Sequence, residues 1–254
     1  MNITRTFMQQ SLEKIADPEK ARILMGFFKT GPGQYGEGDL FRGIKVPEIR
    51  ELVRQFSTAR LKEVAGLLGS PYHEDRLCAL LILVRQYQKG DEETKSAIYR
   101  LYLSNTARIN NWDLVDLTAE HIVGAYLFVR SRAPLDRLAS SRLLWDRRIA
   151  LLATFHFIKR HDFTDTFRLV KSLLDDKEDL MHKAMGWMLR EIGKRDSAAE
   201  EHFLREHLAA LPRTTLRYAI ERFPEEKRLA YLHGTVVRAI RGKKRTLTGR
   251  SLPE

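Results

Sequence analysis

The chain has 254 residues, 43% hydrophobic and 30% charged, a balance that permits one large or two small soluble domains with a sizeable core. Its formal net charge of +11 favours a polyanionic partner, because each phosphate contact releases condensed counterions. The single cysteine, Cys78, excludes an internal disulfide framework and fits a reducing cytoplasm, while the longest apolar stretches fall well short of the ~20 residues needed to span a bilayer.

In chain order, almost every segment reads as helix. The N-terminal MNITRTFMQQSLEK has no apolar core, so no secretory signal is read there. Asp17-Pro18 supplies an N-cap and a first-position proline for ARILMGFF. Residues 30–47, TGPGQYGEGDLFRGIKVP, carry turn signals and are expected to be a loop. Ser57 precedes TARLKEVAGLL, and Ser70-Pro71 is expected to open a helix running to Arg85. Asp196 caps a helix that ends before Pro212, and Gly234 ends the last one. No period-2 strands are found.

A period is superimposed on these helices. Arg76, Asp113, Arg148, Lys183 and Arg217 each begin a mostly apolar helix, at intervals of 34 to 37 residues. Two helices per interval predict an all-α, HEAT-like α-solenoid of stacked helix pairs with a concave binding face. No linker interrupts residues 1–241, which are expected to form a single domain. Residues 242–254 are expected to be a basic, disordered tail.

Several motifs point nowhere. Residues 31–36, GPGQYG, match a dinucleotide-binding glycine pattern, but no strand precedes them and acidic residues follow where a phosphate would lie. His156 and His161 are five apart, a poor spacing for one helical face, and neither a metal site nor a serine nucleophile elbow is legible.

The informative residues are aromatic, acidic and basic. Trp112 and Asp116 are one helical turn apart and share a face. The spacing of Trp187 places it with Lys183, Arg190 or Glu191, and Lys194 on a polar and basic face, which suggests an exposed ring packing on a nucleic-acid backbone, the alternative being an amphipathic ring packed against the next repeat. Asp116 has a structural alternative, an ion pair with Arg147 or Arg148 of the next repeat. Trp145 is expected in the core. Trp112, Asp116, Arg148 and Trp187 fall in three successive second helices, whose starts would line one edge of a solenoid.

Four segments together resemble the AlkD family of bacterial DNA alkylation repair glycosylases over about residues 10–235: GEGDLFRGIKVPEIR, NNWDLVD (110–116), LWDRRIALLATF (144–155) and MHKAMGWMLREIGKRD (181–196). The resemblance implies Asp116, Trp112, Arg148 and Trp187 as the residues lining the catalytic cleft. It implies Phe27 at the position of a family aromatic that is typically tyrosine. Together with Arg147, Lys159, Lys183, Arg190 and Lys194, Phe27 is expected to contact DNA. The implied reaction is hydrolysis of the N-glycosidic bond of N3- or N7-alkylated purines in double-stranded DNA, with the modified base left largely exposed. No cofactor or metal is expected, no lysine stands out for lyase chemistry, and the protein is expected to be a cytoplasmic monomer. The rival expectations are a non-catalytic HEAT-like DNA-binding protein and a HEAT-type protein scaffold.

Overall fold

The structure, a computed structural model, describes residues 3–235; the expected basic tail lies outside them. The described residues are helical, and their one β feature is an isolated parallel bridge between Leu40 and Tyr72. The helix pairs are those of an α-solenoid. The chain divides between Phe157 and Ile158 into two compact units. No described helix is long and apolar enough to cross a membrane.

The first unit contains α1 (Arg5–Glu13), α2 (Pro18–Phe27), α3 (Val46–Gln55), α4 (Leu61–Leu68), α5 (His73–Lys89), α6 (Glu92–Leu103), α7 (Trp112–Asp116), α8 (Ala125–Leu127), α9 (Ala133–Ala139) and α10 (Leu144–Ala153). Helix α5 is its axis, packing against α3, α4 and α6. That position explains why it is apolar nearly all round: Leu77 through Val84 are all buried, including Cys78. Burial pushes the Cys78 thiol pKa far up, so it packs as a small apolar residue. A short helix, α11 (Phe155–Ile158), spans the division. The second unit holds α12 (Thr164–Ser172), α13 (Asp179–Gly193), α14 (Ser197–His207), α15 (Arg213–Ala219) and α16 (Glu225–Leu232), with α13 packed against α12, α14 and α15. Gly186 permits the close approach of α13 to α15, because a Cβ there would lie 2.4 Å from the Tyr218 Cβ and 2.5 Å from the Thr215 carbonyl oxygen.

Some helix starts follow the local chemistry. The Asp17 carboxylate accepts from the amides of Glu19 and Lys20, and Asp196 accepts from that of Ala199. Gly234 is left-handed (φ 69°) just after α16. Others differ from expectation. Helix α4 begins at Leu61, four residues beyond Ser57, with no side-chain cap. Helix α5 begins at His73, and the Ser70 hydroxyl serves instead to accept from the Tyr72 amide and donate to Asp75. The segment after Trp112 is not one helix: α7 has five residues, a π-helical turn covers Glu120–Gly124, and α8 follows. The reason is tertiary. A Cβ at Gly124 would lie 2.1 Å from the carbonyl oxygen of Ala153, so the turn is pressed against α10. Of the four residues expected near helix starts, only Trp112 is at one. Asp116 ends α7, Arg148 is the fifth residue of α10 and Trp187 the ninth of α13.

The loop 30–47 is pinned from below, and its last two residues already belong to α3. The buried carboxylate of Glu74 accepts from the backbone amides of Arg42 (2.9 Å), Gly43 (2.8 Å) and Ile44 (3.2 Å). Arg42 pairs with Asp75 and lies 3.9 Å over the Tyr72 ring. The glycine pattern binds its own side chains, as Glu37 accepts from the Gly33 amide (2.9 Å) and Gln34 from that of Gly31 (3.0 Å). A carboxylate thus occupies the place a phosphate would need.

Candidate functional site

The site in the first unit is built around one ion pair. Arg148 on α10 grips Asp116 at the end of α7 in a two-pronged arrangement, Nε to Oδ1 and Nη2 to Oδ2, both 2.8 Å. Arg148 is buried, with 5% of its side chain exposed, whereas Asp116 keeps 15%. The geometry therefore selects Arg148 over Arg147 as the partner and makes it the group that orients Asp116. The Arg147 guanidinium turns away to donate to the backbone carbonyls of Ser141 and Arg142. Burial pushes the Asp116 carboxyl up from its ordinary value of 3.8, while the charge and hydrogen bonds of Arg148 pull it back.

The exposed edge of Asp116 opens onto a cavity of about 270 Å³. Its other walls include Arg50 and Arg54 from α3 and Arg85 from α5, with Leu117 and His121 beside Asp116. The three arginines were not among the residues expected from sequence. Arg50 and Arg54 are four apart in EIRELVRQF, a spacing that puts them on one helical face and was available as a signal.

Trp112 belongs to an aromatic cluster. Its ring stacks on Phe28 (5.4 Å, 25°) and meets Phe27 edge-on (6.0 Å, 71°). Phe27 is 60% exposed at the end of α2. The structure thus brings together Phe27 and Trp112, which are 85 residues apart in sequence. Phe28 in turn packs on Phe41 and His73, and Phe41 stacks on His73 at 4.6 Å. His73 is buried between two carboxylates: its Nε2 is 2.8 Å from Asp113 and its Nδ1 3.6 Å from Asp39. Arg76 reaches the same Asp39 oxygen at 2.8 Å. Burial disfavours the charged imidazole, but the two aspartates outweigh it and raise the His73 pKa. Asp113, next to Trp112, is thereby tied to α5 and to the pinned loop. An apolar cavity of about 490 Å³ adjoins this cluster, walled by Ile23, Phe27, Phe28, Phe41 and Ile44.

The remaining expected residues belong to α13 and to the chain just past α11. Lys159 is exposed. Trp187 is half-buried rather than exposed, and its indole N–H donates to Glu191 (3.2 Å). The basic face expected around it is largely internally paired: Lys183 with Asp179 (2.8 Å), Arg190 with Glu221, and Lys194 and Arg195 with the buried Glu191. Those cations hold Glu191 below the usual carboxylate range despite the opposing effect of burial. Trp145 is half-buried with its ring edge-on to Tyr35.

Fold and site together define a helical-repeat protein that holds a guanidinium-clamped carboxylate at the edge of a cationic cavity. The sequence pattern of the DNA alkylation repair enzymes matches residues 8–223, and the chain belongs to that family. It is similar in fold to a solved structure of a predicted DNA alkylation repair enzyme from Enterococcus faecalis, with 18% identity and a TM-score of 0.65 over 83% of this chain and 97% of that one. No curated protein sequence matches it.

Proposed function

We propose that the protein is a monofunctional DNA glycosylase that releases N3- and N7-alkylated purines from duplex DNA, acting as a cytoplasmic monomer without cofactor. The observation that carries this reading is Asp116, a carboxylate fixed by Arg148 and open on one edge to a cavity walled by arginines. Alkylation makes the base cationic, so it leaves readily. The C1′–N bond breaks with its electron pair passing to the base, which departs neutral, and positive charge appears on the deoxyribose. A carboxylate that cannot rotate away stabilises that oxocarbenium-like state. Water then adds to C1′ and gives up a proton to Asp116 or to solvent. Trp112 and Phe27 present aromatic faces and edges to the sugar-phosphate backbone near this point, and electron-rich faces favour a developing cation. Trp187 in the second unit is a further candidate for packing on the backbone, its half-buried ring fixed by Glu191.

The test is release of free base from methylated duplex DNA, with abasic sites scored by alkaline cleavage. Asp116→Asn is expected to lower release at least a hundredfold while duplex binding changes less than threefold, the order of loss seen when a single electrostatic stabiliser is removed. Near wild-type release by the variant would remove Asp116 from the mechanism. Binding without release by the wild type would make the protein a non-catalytic DNA binder.

A further inference from the structure

The arginines of the Asp116 cavity are more than general positive charge. Arg50 has no ion-pair partner among the described residues, Arg54 is paired only with the exposed Glu51, and the Nε of Arg85 is buried with no hydrogen-bond partner. A buried guanidinium N–H without an acceptor costs free energy, and native structures rarely leave one so. The only carboxylate on the cavity wall, Asp116, has both oxygens engaged by Arg148. Three guanidinium groups from two helices thus line the cavity, and of these only Arg54 has a carboxylate partner among the described residues, the exposed Glu51. Guanidinium forks match the oxygens of a phosphate, and partial enclosure strengthens the attraction relative to a flat surface.

We propose that this cavity is a phosphate site, in which Arg50, Arg54 and Arg85 hold the DNA phosphate next to the nucleotide whose sugar faces Asp116. The inference rests on the glycosylase reading and adds to it the group that sets the position of the sugar. A phosphodiester is joined directly to the deoxyribose, so a phosphate held by these arginines brings the adjoining sugar to the cavity that Asp116 also lines. The arrangement also divides the work between the arginines. Arg148 is buried and orients Asp116, whereas Arg50, Arg54 and Arg85 face the open space and take the phosphate.

The test compares the wild type with Arg50→Gln, Arg85→Gln and the double variant in two measurements. The first is affinity for methylated duplex DNA across a salt series. The second is the KM and kcat of base release. Loss of one phosphate contact should lower the slope of log affinity against log salt by about 0.9, and the double variant is expected to show that drop with KM raised about tenfold. Arg50→Lys should restore most of the slope, because it keeps the charge, but less of the KM, because it loses the fork. Arg50 is exposed, so its variant reports on the site even if Arg85→Gln weakens folding. An unchanged slope and KM in Arg50→Gln and in a folded double variant would overturn the phosphate site. If the wild type binds duplex but releases no base, the glycosylase reading fails, and the slopes still decide whether the cavity takes a phosphate. A cavity that binds inorganic phosphate in a calorimetric titration while the DNA slopes stay unchanged would be a free-anion site, which also overturns the proposal.

Discussion

At the scale of single residues, Arg148 and Asp116 act as a unit. Their pairing is buried on the arginine side and slightly open on the carboxylate side, so removing either member has a different consequence. Arg148→Ala leaves a largely buried carboxylate unpaired, which typically costs about 3–5 kcal/mol. Arg148→Lys keeps a charge but forfeits one of the two hydrogen bonds. Because burial raises the Asp116 pKa and Arg148 lowers it, the acid limb of base release should lie above pH 3.8 in the wild type and move higher in Arg148→Lys. A purely structural Arg148 would instead lower stability and leave the limb where it was. The measurement is the pH profile of single-turnover release, read beside a melting curve for each protein. Whether Asp116 paired with Arg147 or Arg148 could not be read from sequence. Two adjacent arginines on a helix point about 100° apart, and only the packing of α10 on α7 decides which one faces inward.

At the scale of elements, what the sequence disclosed depended on whether an element is set locally or by its neighbours. Asp17 and Asp196 cap their helices through their own side chains, and both starts were legible. Ser57 and Ser70 offered equally good cap chemistry, yet α4 and α5 begin at Leu61 and His73, where packing rather than a cap sets the start. The break after α7 was hidden for the same reason, since Gly124 is required by contact with α10 and not by any turn motif. The second unit holds a comparable close contact. A Cβ at Gly193 on α13 would lie 1.7 Å from a carboxylate oxygen of Glu200 on α14, so α13 and α14 pack across that side chain. Burial pushes the Glu200 pKa up to about 8, against the pull of Lys227 and Arg190. Folded Glu200 therefore keeps its proton where the unfolded chain has lost it, so this residue erodes stability as pH rises from about 4.5 to 8, with no further loss above. Glu200→Gln, which is neutral at every pH, is expected to stabilise the protein by about 2–4 kcal/mol at pH 9 and by little at pH 4.5. Melting temperatures of both proteins at the two pH values check this, and an equal difference at both would show that Glu200 does not titrate between folded and unfolded states.

At the scale of the whole molecule, the cations behind the excess of +11 differ in how far neighbouring carboxylates neutralise them. Most cations of the α13 face, which the sequence offered as a DNA-contacting surface, are paired with Asp179, Glu191 or Glu221. Such pairing blunts the field of each cation, and the exposed pair of Lys183 with Asp179 contributes little to stability. Arginines without strong partners include those of the Asp116 cavity, assembled from segments about 30 residues apart, which is why only the 50/54 spacing hinted at them. Residues 242–254 carry four cations and one carboxylate, so removing them takes away three of the eleven net charges without touching Asp116. Two kinds of electrostatics are thereby separable. Loss of the segment should weaken binding to undamaged duplex several-fold at low salt and lower the salt slope, because each phosphate contact releases condensed counterions. The rate of base release at saturating DNA should stay unchanged, because that step depends on a carboxylate and the arginines around it. Binding isotherms across a salt series, paired with single-turnover release, distinguish the two. A slope that does not change would show that the segment makes no phosphate contact, and a fall in the saturated rate would show that it reaches the site itself.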